Sequence, residues 1–191
     1  LGLQEALAQV AVQTAELAFY SRFGQFIYSE PRGLRAGYAW PQFSIHRGDL
    51  HRVLLEATRA RLGAEAVVLG AKCAGIGQDA DGVTARFESG ATARGSCAVG
   101  CDGIHSAVRR QLFPGEGGPT FQCINMWRGV TRMKPFLGGA TMATAGWLAV
   151  GKMVIYPIRN NVTSAQSGEG GLQLINWVAE IQSPRNVMQD W

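Results

Sequence analysis

The amino-acid sequence predicts a mixed α/β (α+β) fold, and three observations predict it. From Ser96 to Pro114 a short apolar run, Cys97-Ala98-Val99, ends in the turn signal Gly100-Cys101-Asp102-Gly103. Ser106 then opens a segment in which Ile104, Val108 and Leu112 recur at helical spacing, with Pro114 as a stop, so the stretch reads as strand, acidic turn and short helix. A second helix is signalled from Leu50 to Gly63, and after Pro119 several strand-like runs follow without a helix between them, as in an antiparallel sheet. With 191 residues, 47% of them hydrophobic, the chain can bury a core.

Taken in order, Leu3, Leu7 and Val10 mark an apolar helical face. Gln13 to Tyr20 and Gln25 to Tyr28, separated by Ser21-Arg22-Phe23-Gly24, read as a hairpin, and Pro31 to Pro41 as a loop punctuated by Gly and Pro. In the helix that follows, Leu50, Val53, Leu54 and Ala57 obey the i, i+3, i+4, i+7 rule. Asp49 suits the positive end of the helix dipole, and Gly63 suits the stop. Arg47, just ahead of this helix, has the planar fork that grips a phosphate, although on the local pattern a solvated loop arginine is the plainer reading.

Ala66 to Gly70 reads as a strand, and Val83 to Phe87 with Ala91 to Gly95 as a hairpin turned at Glu88-Ser89-Gly90. Gly75-Ile76-Gly77-Gln78-Asp79-Ala80 matches a G-x-G-x-x-A dinucleotide turn. Asp81-Gly82 and strand-like residues follow it instead of a helix, so it is read as part of a hairpin. Beyond Gly115-Glu116-Gly117-Gly118-Pro119 the strand candidates are Met126 to Val130, Ala140 to Ala145, Trp147 to Val150, Met153 to Ile158 and Leu172 to Val178, with a polar loop from Arg159 to Gly171. Trp127, Trp147, Tyr156 and Trp177 are either ordinary core or the lining of an apolar pocket for a flat ring.

Composition narrows the function. The net charge of +4 is spread without a Lys/Arg run, which leaves nucleic acid a weak partner and an anionic cofactor sufficient. Cys73, Cys97, Cys101 and Cys123 form no C-x-x-C pair and lie far in sequence from the histidines, so neither zinc nor a disulfide framework is indicated. No apolar stretch approaches membrane-spanning length and no signal peptide is visible, so the expected location is cytoplasmic with no membrane partner. In an open α/β sheet ligands meet the carboxyl ends of strands, which is where Asp102 and Gly103 stand. Read alone, Asp-Gly is more often a plain turn.

The string Gly100-Cys101-Asp102-Gly103-Ile104-His105-Ser106-Ala107-Val108-Arg109 resembles the second cofactor fingerprint of the single-component flavin-dependent aromatic hydroxylases. Five further stretches stand in the order seen in the salicylate-hydroxylase-like flavoprotein monooxygenases. They are Ser29 to Gly33, Pro41 to Gly48 with its His46-Arg47, Met126-Trp127-Arg128-Gly129-Val130-Thr131, Tyr156-Pro157-Ile158 and Leu174 to Val178, and the nearest likeness is to members that modify phenazine carboxylates. The resemblance implies part of an FAD-binding Rossmann-like domain plus an antiparallel substrate sheet, as in the p-hydroxybenzoate hydroxylase fold, divided at residues 1–114 and 115–191. It further implies FAD with NAD(P)H as cosubstrate and hydroxylation of an aromatic substrate through a flavin C4a-hydroperoxide, with no catalytic side chain required. Arg47, Asp102 and Gly103 would touch the flavin's phosphate-ribose part, Arg109 would brace the turn, and Trp127, Arg128 and Tyr156 would line the substrate pocket. An arginine there could hold a ring carboxylate by paired hydrogen bonds.

Two departures temper this. No glycine-rich βαβ fingerprint and no later Gly-Asp turn followed by a helix occurs in the sequence, and the chain opens without methionine, so it is expected to be an internal piece of a longer hydroxylase. The alternatives are a catalytically silent fragment that self-associates, with a homodimer among the possibilities, and a non-flavin module for a small aromatic ligand.

Overall fold

The structure is a computed structural model that describes residues 1–163, 168 and 170–184. The chain divides into two compact units, one of residues 1–61 with those from 121 onward, the other of residues 62–120. Compactness therefore divides the chain elsewhere than the expected division of roles at 114/115.

The first unit opens with helix α1 (Gln4–Val10), on which Leu3, Leu7 and Val10 form the half-buried side. Strands β1 (Val12–Thr14), β2 (Glu16–Tyr20) and β3 (Phe26–Pro31) follow. The expected hairpin is β2 against β3, but its first strand breaks at Ala15. There the backbone changes partner: Ala15 N donates to Ala140 O and Ala15 O accepts from Arg32 N, while β1 pairs with β4 (Gln42–Ser44). Helix α2 (Arg47–Leu62) buries Val53 and half-buries Leu50, and ends at Gly63, whose φ of 91° only glycine takes readily.

The second unit is a three-stranded antiparallel meander, β5 (Cys73–Asp79), β6 (Gly82–Phe87) and β7 (Thr92–Gly95), with helix α3 (Ala107–Leu112) beside it. The Gly75–Ala80 run lies in the β5–β6 hairpin, as its following Asp81-Gly82 indicates. The side-chain amide of Gln111 docks α3 on β5 by taking Ile76 N at 2.9 Å and donating to Ile76 O at 2.6 Å. Two expected strands are absent. Ala66–Gly70 is the end of a short 3-10 turn followed by irregular chain, with Val68 and Leu69 exposed, and Cys97–Val99 is unpaired chain with Val99 exposed. Both runs are apolar enough for a strand, but no described segment offers either one a ladder, and unpaired backbone stays in water.

The chain returns to the first unit as β8 (Ile124–Met133), β9 (Thr141–Trp147), β10 (Gly151–Val162) and β11 (Leu172–Gln182). With β2 and β3 they build a six-stranded sheet in the order β3-β2-β9-β10-β11-β8, antiparallel except where β2 meets β9. Trp147–Val150 is not a strand of its own. Trp147 closes β9 and Leu148–Val150 turn the chain back into β10 between Gly146 and Gly151, both at positive φ. Tightness explains Gly146, since a Cβ there would sit 2.3 Å from Gly151 O. The expected polar loop Arg159–Gly171 starts later than expected, because β10 continues to Val162, and residues 164–167 and 169 lie outside the described residues.

The core of this unit is Val12, Ala18, Ala143, Ile158, Ile175 and Val178, with Pro157 also fully enclosed. Register sorts the sheet's side chains onto two faces. Trp127, Ala179 and Met153 stand opposite one another across β8, β11 and β10, and so do Gly129, Trp177 and Ile155. The Trp177 indole lies over Gly129, where a Cβ would come within 2.4 Å of the ring. Gly129→Ala is expected to lower stability by about 1–3 kcal/mol through this overpacking, read as a shifted urea midpoint with near-constant slope. An unchanged midpoint would show that the indole has another resting place.

Candidate functional site

Six residues is too short for a helix that stands alone, so α3 depends on how its start is held. Asp102 and Ser106 hold it together. The Asp102 Oδ2 accepts from the backbone N–H of Ala107 at 2.7 Å and of Val108 at 3.4 Å. Ser106 Oγ donates to Asp102 Oδ1 and accepts from Arg109 N at 2.9 Å. Three of the orphan donors at the helix start are thereby satisfied. The Ser106 hydroxyl, followed by the two amides, holds the Asp102 carboxyl below the ordinary carboxylate range. Gly103, at φ 79°, carries the chain through the turn, and the space where a Cβ would sit is open, so its backbone is approachable.

The Arg109 guanidinium is engaged by Glu116. It forms a fork on Glu116, with Nε 2.6 Å from Oε2 and Nη2 on Oε1, and so ties α3 to the glycine-rich segment that follows. His105 and Cys101 are exposed beside the turn.

In the other unit Arg47 is the first residue of α2, exposed, and its guanidinium forms no hydrogen bond or ion pair among the described residues. Two positions on, Asp49 is buried and takes Arg159 Nε at 2.8 Å and Arg159 Nη2 on Oδ2. The Arg159 hydrogen bond outweighs burial and holds the Asp49 carboxyl below its ordinary range. Neither side chain was assigned from sequence: Asp49 fits the helix dipole without any partner, and Arg159 falls in what composition marks as loop.

The three substrate candidates do not share a face. Arg128 is level with Val178 and Val154, Tyr156 with Asn176 and Val130, so Arg128 and Tyr156 stand on one face with Asn176 between their strands. Trp127 belongs to the reverse face. Arg128 is exposed and donates to Met126 Sδ at 3.0 Å, while Tyr156 is half-buried. The Asn176 Nδ2 is enclosed without a partner among the described residues, a cost that an isolated strand pattern does not reveal. The reverse face carries an open apolar recess of about 240 Å³ lined by Thr131, Met133, Met153, Ile155, Ile175 and Trp177. All four cysteines are free thiols, and among the described residues no group of three or more His, Cys, Asp or Glu is placed to hold a metal. No described helix is long and apolar enough to cross a membrane.

The chain belongs to the FAD binding domain family, which matches residues 2–163. The chain is 37% identical over 187 residues to phenazine 1,6-dicarboxylic acid hydroxylase PhzS of Lysobacter antibioticus, covering 95% of this chain and 45% of that protein. It is also 37% identical over 115 residues to 3-amino-4-hydroxybenzoate 2-monooxygenase of Streptomyces cremeus, covering 59% of this chain and 28% of that protein. Among solved structures, Klebsiella pneumoniae HpxO complexed with FAD and uric acid shares the fold with a TM-score of 0.75 at 20% identity, over 99% of this chain and 45% of that one. PqsL of P. aeruginosa in complex with 2-aminobenzoylacetate gives 0.70 at 18%, over 95% and 46%. The chain thus spans less than half the length of these relatives.

Because the folded Asp102 carboxyl ionises below its unfolded value, its contribution to the α3 cap is fully present above the ordinary carboxylate pKa of about 3.9 and is lost as pH falls through the lower, folded value. The protection of the Ala107 and Val108 amides, relative to their intrinsic exchange at each pH, is expected to persist down to that lower pH. Asp102→Asn should lower that protection and remove its acid transition, whereas a wild-type transition at or above the ordinary value would contradict the cap.

Proposed function

We propose that this chain is part of an FAD-dependent monooxygenase that hydroxylates a small aromatic substrate of the phenazine-carboxylate or salicylate type. The observation that carries the reading is Arg47, a guanidinium without a partner among the described residues at the first residue of α2, in a chain of the FAD binding domain family. Free charge of that geometry suits a diphosphate. Within its own unit, the open backbone at Gly103 suits close approach by a sugar-phosphate group. Asp102 contributes through the cap and, being exposed, is open to a further donor, and Arg109 contributes through its brace to Glu116.

Bound FAD would supply oxygen activation, with NAD(P)H as reductant and dioxygen as oxidant, one oxygen atom ending in the ring hydroxyl and the other in water. The chain's own part is to bind, orient and exclude water. In this reading residues 1–114 serve the cofactor and residues 115–191 the substrate. Arg128 and Tyr156, on one face of the sheet, receive the ring, with the Arg128 fork on a ring carboxylate. Trp127, on the reverse face, is left out. A reductant of this kind and four free thiols both suit a cytoplasmic setting.

A second reading is favoured by one feature. Strand β8 is a sheet edge of ten residues, with Met126, Trp127, Val130 and Met133 all exposed, which suits self-association of a chain that is catalytically silent by itself, a homodimer being the simplest form.

Gel filtration after incubation with FAD separates the two. Co-elution of an oxidised-flavin band is expected, weakened about tenfold or more in affinity by Arg47→Ala, the scale of losing a hydrogen bond between charged groups. A colourless protein eluting as a dimer or larger would favour the second reading.

A further inference from the structure

Arg47 stands among fixed points. Three residues before it, Ser44 Oγ and Thr14 Oγ1 share a buried hydrogen bond of 2.6 Å. The backbone N of His46 donates across to Ile158 O at 3.2 Å, and the amides of Asp49 and Leu50 return to His46 O at 3.0 and 3.1 Å. Two residues after Arg47, the Asp49 side chain, 9% exposed, receives the Arg159 fork from a residue 110 positions away in sequence. Arg52 stands off the other oxygen at 3.8 Å and is itself half-exposed.

Arg159 reaches this place because β10 slips its pairing with β11 on both sides of it, between Pro157 and Arg159 and again between Arg159 and Val162. Helix formation does not require this burial. An acidic residue in the first turn is already favoured in water, and enclosing it is costly unless its partner is held in good geometry. What the enclosure adds is position.

We propose that Asp49 and Arg159 are positioning residues that lock the first turn of α2 to the bulged end of β10 and so hold Arg47 outward, pre-set for an anionic group. That group is the flavin diphosphate in the reading above, on which this part of the inference rests. A guanidinium on a fraying turn would lose part of its binding free energy to ordering, whereas one on a locked turn does not.

The test uses the unliganded chain first. In Arg159→Gln, exchange at the amides of His46, Asp49 and Leu50 is expected to rise about tenfold or more, while amides in β8 and β11 keep their protection. Arg159→Lys retains the charge without the fork and should fall between. Unchanged exchange at those three amides, or an equal rise throughout the unit, would overturn the proposal. If Arg159→Gln does not fold, the lysine variant decides by the same reading.

FAD affinity then tests the link to Arg47. Arg159→Lys should weaken binding in the wild-type background and have no further effect once Arg47→Ala is present. Additive losses would break that link. Failure of the chain to take up FAD would count against the cofactor reading alone, because exchange is measured without ligand.

Discussion

The twelve residues of β10 carry the shape of the larger unit. The strand pairs with β9 along its first half and with β11 along nearly its whole length, and it encloses Pro157 and Ile158 at the point where its register slips. A proline has no N–H to give a ladder, so a bulge next to Pro157 leaves little unpaid in hydrogen bonds. The slip is then available for other contacts: Ile158 O receives His46 N, and Arg159 leaves the plane of pairing for Asp49. One irregularity thus joins the sheet to the start of α2. Removing Arg159 would leave the Asp49 carboxylate enclosed among neighbours that replace water poorly, whereas the Arg159 side chain, 39% exposed, keeps access to water, so the pair is demanding to break from the arginine side.

The smaller unit solves a different problem. Its helix is too short to persist unaided, and its meander has only three strands. Asp102 and Ser106 satisfy the donors at one end of α3, Gln111 ties its side to β5, and Arg109 reaches on to Glu116. The Asp102 carboxylate holds the helix start and, being exposed, keeps lone pairs for a further donor. The turn also leaves backbone available at Gly103, where a side chain would strain φ without meeting any atom. The aspartate shapes the turn and the glycine leaves it approachable.

Local signals in the sequence were dependable where the cause is local. Leu50 and Val53 show the face of α2, Gly63 its end, and Asp81-Gly82 identifies the preceding glycines as hairpin. The two runs misread as strands, Ala66–Gly70 and Cys97–Val99, have the right residues but no partner, and pairing is not written in a run's own composition. The same holds for sites. Trp127 and Arg128 are neighbours in sequence and stand on opposite faces, a division that only register decides. Arg159 was hidden because the bulge that aims it is a property of two strands together. Asp102 was legible as a turn residue, and its capping role was latent in the Ser106 four positions on, a spacing that places the hydroxyl beside the carboxylate.

The two faces of the large sheet bear on how a ring could be recognised. The face of Arg128, Tyr156 and Asn176 offers a charge, a phenol and an enclosed amide without a partner among the described residues. The reverse face, with Trp177 laid over Gly129 beside Met153 and Ile155, offers almost only apolar surface. A neutral ring would find contact area on either. In the proposed reading a ring carrying a carboxylate would not, because desolvating that group against the apolar recess has no compensating donor, whereas the Arg128 fork would supply one. Specificity of this kind would depend less on added attraction at one face than on the unpaired charge a wrong placement would leave, an asymmetry that would follow from the alternation of β8, β10 and β11.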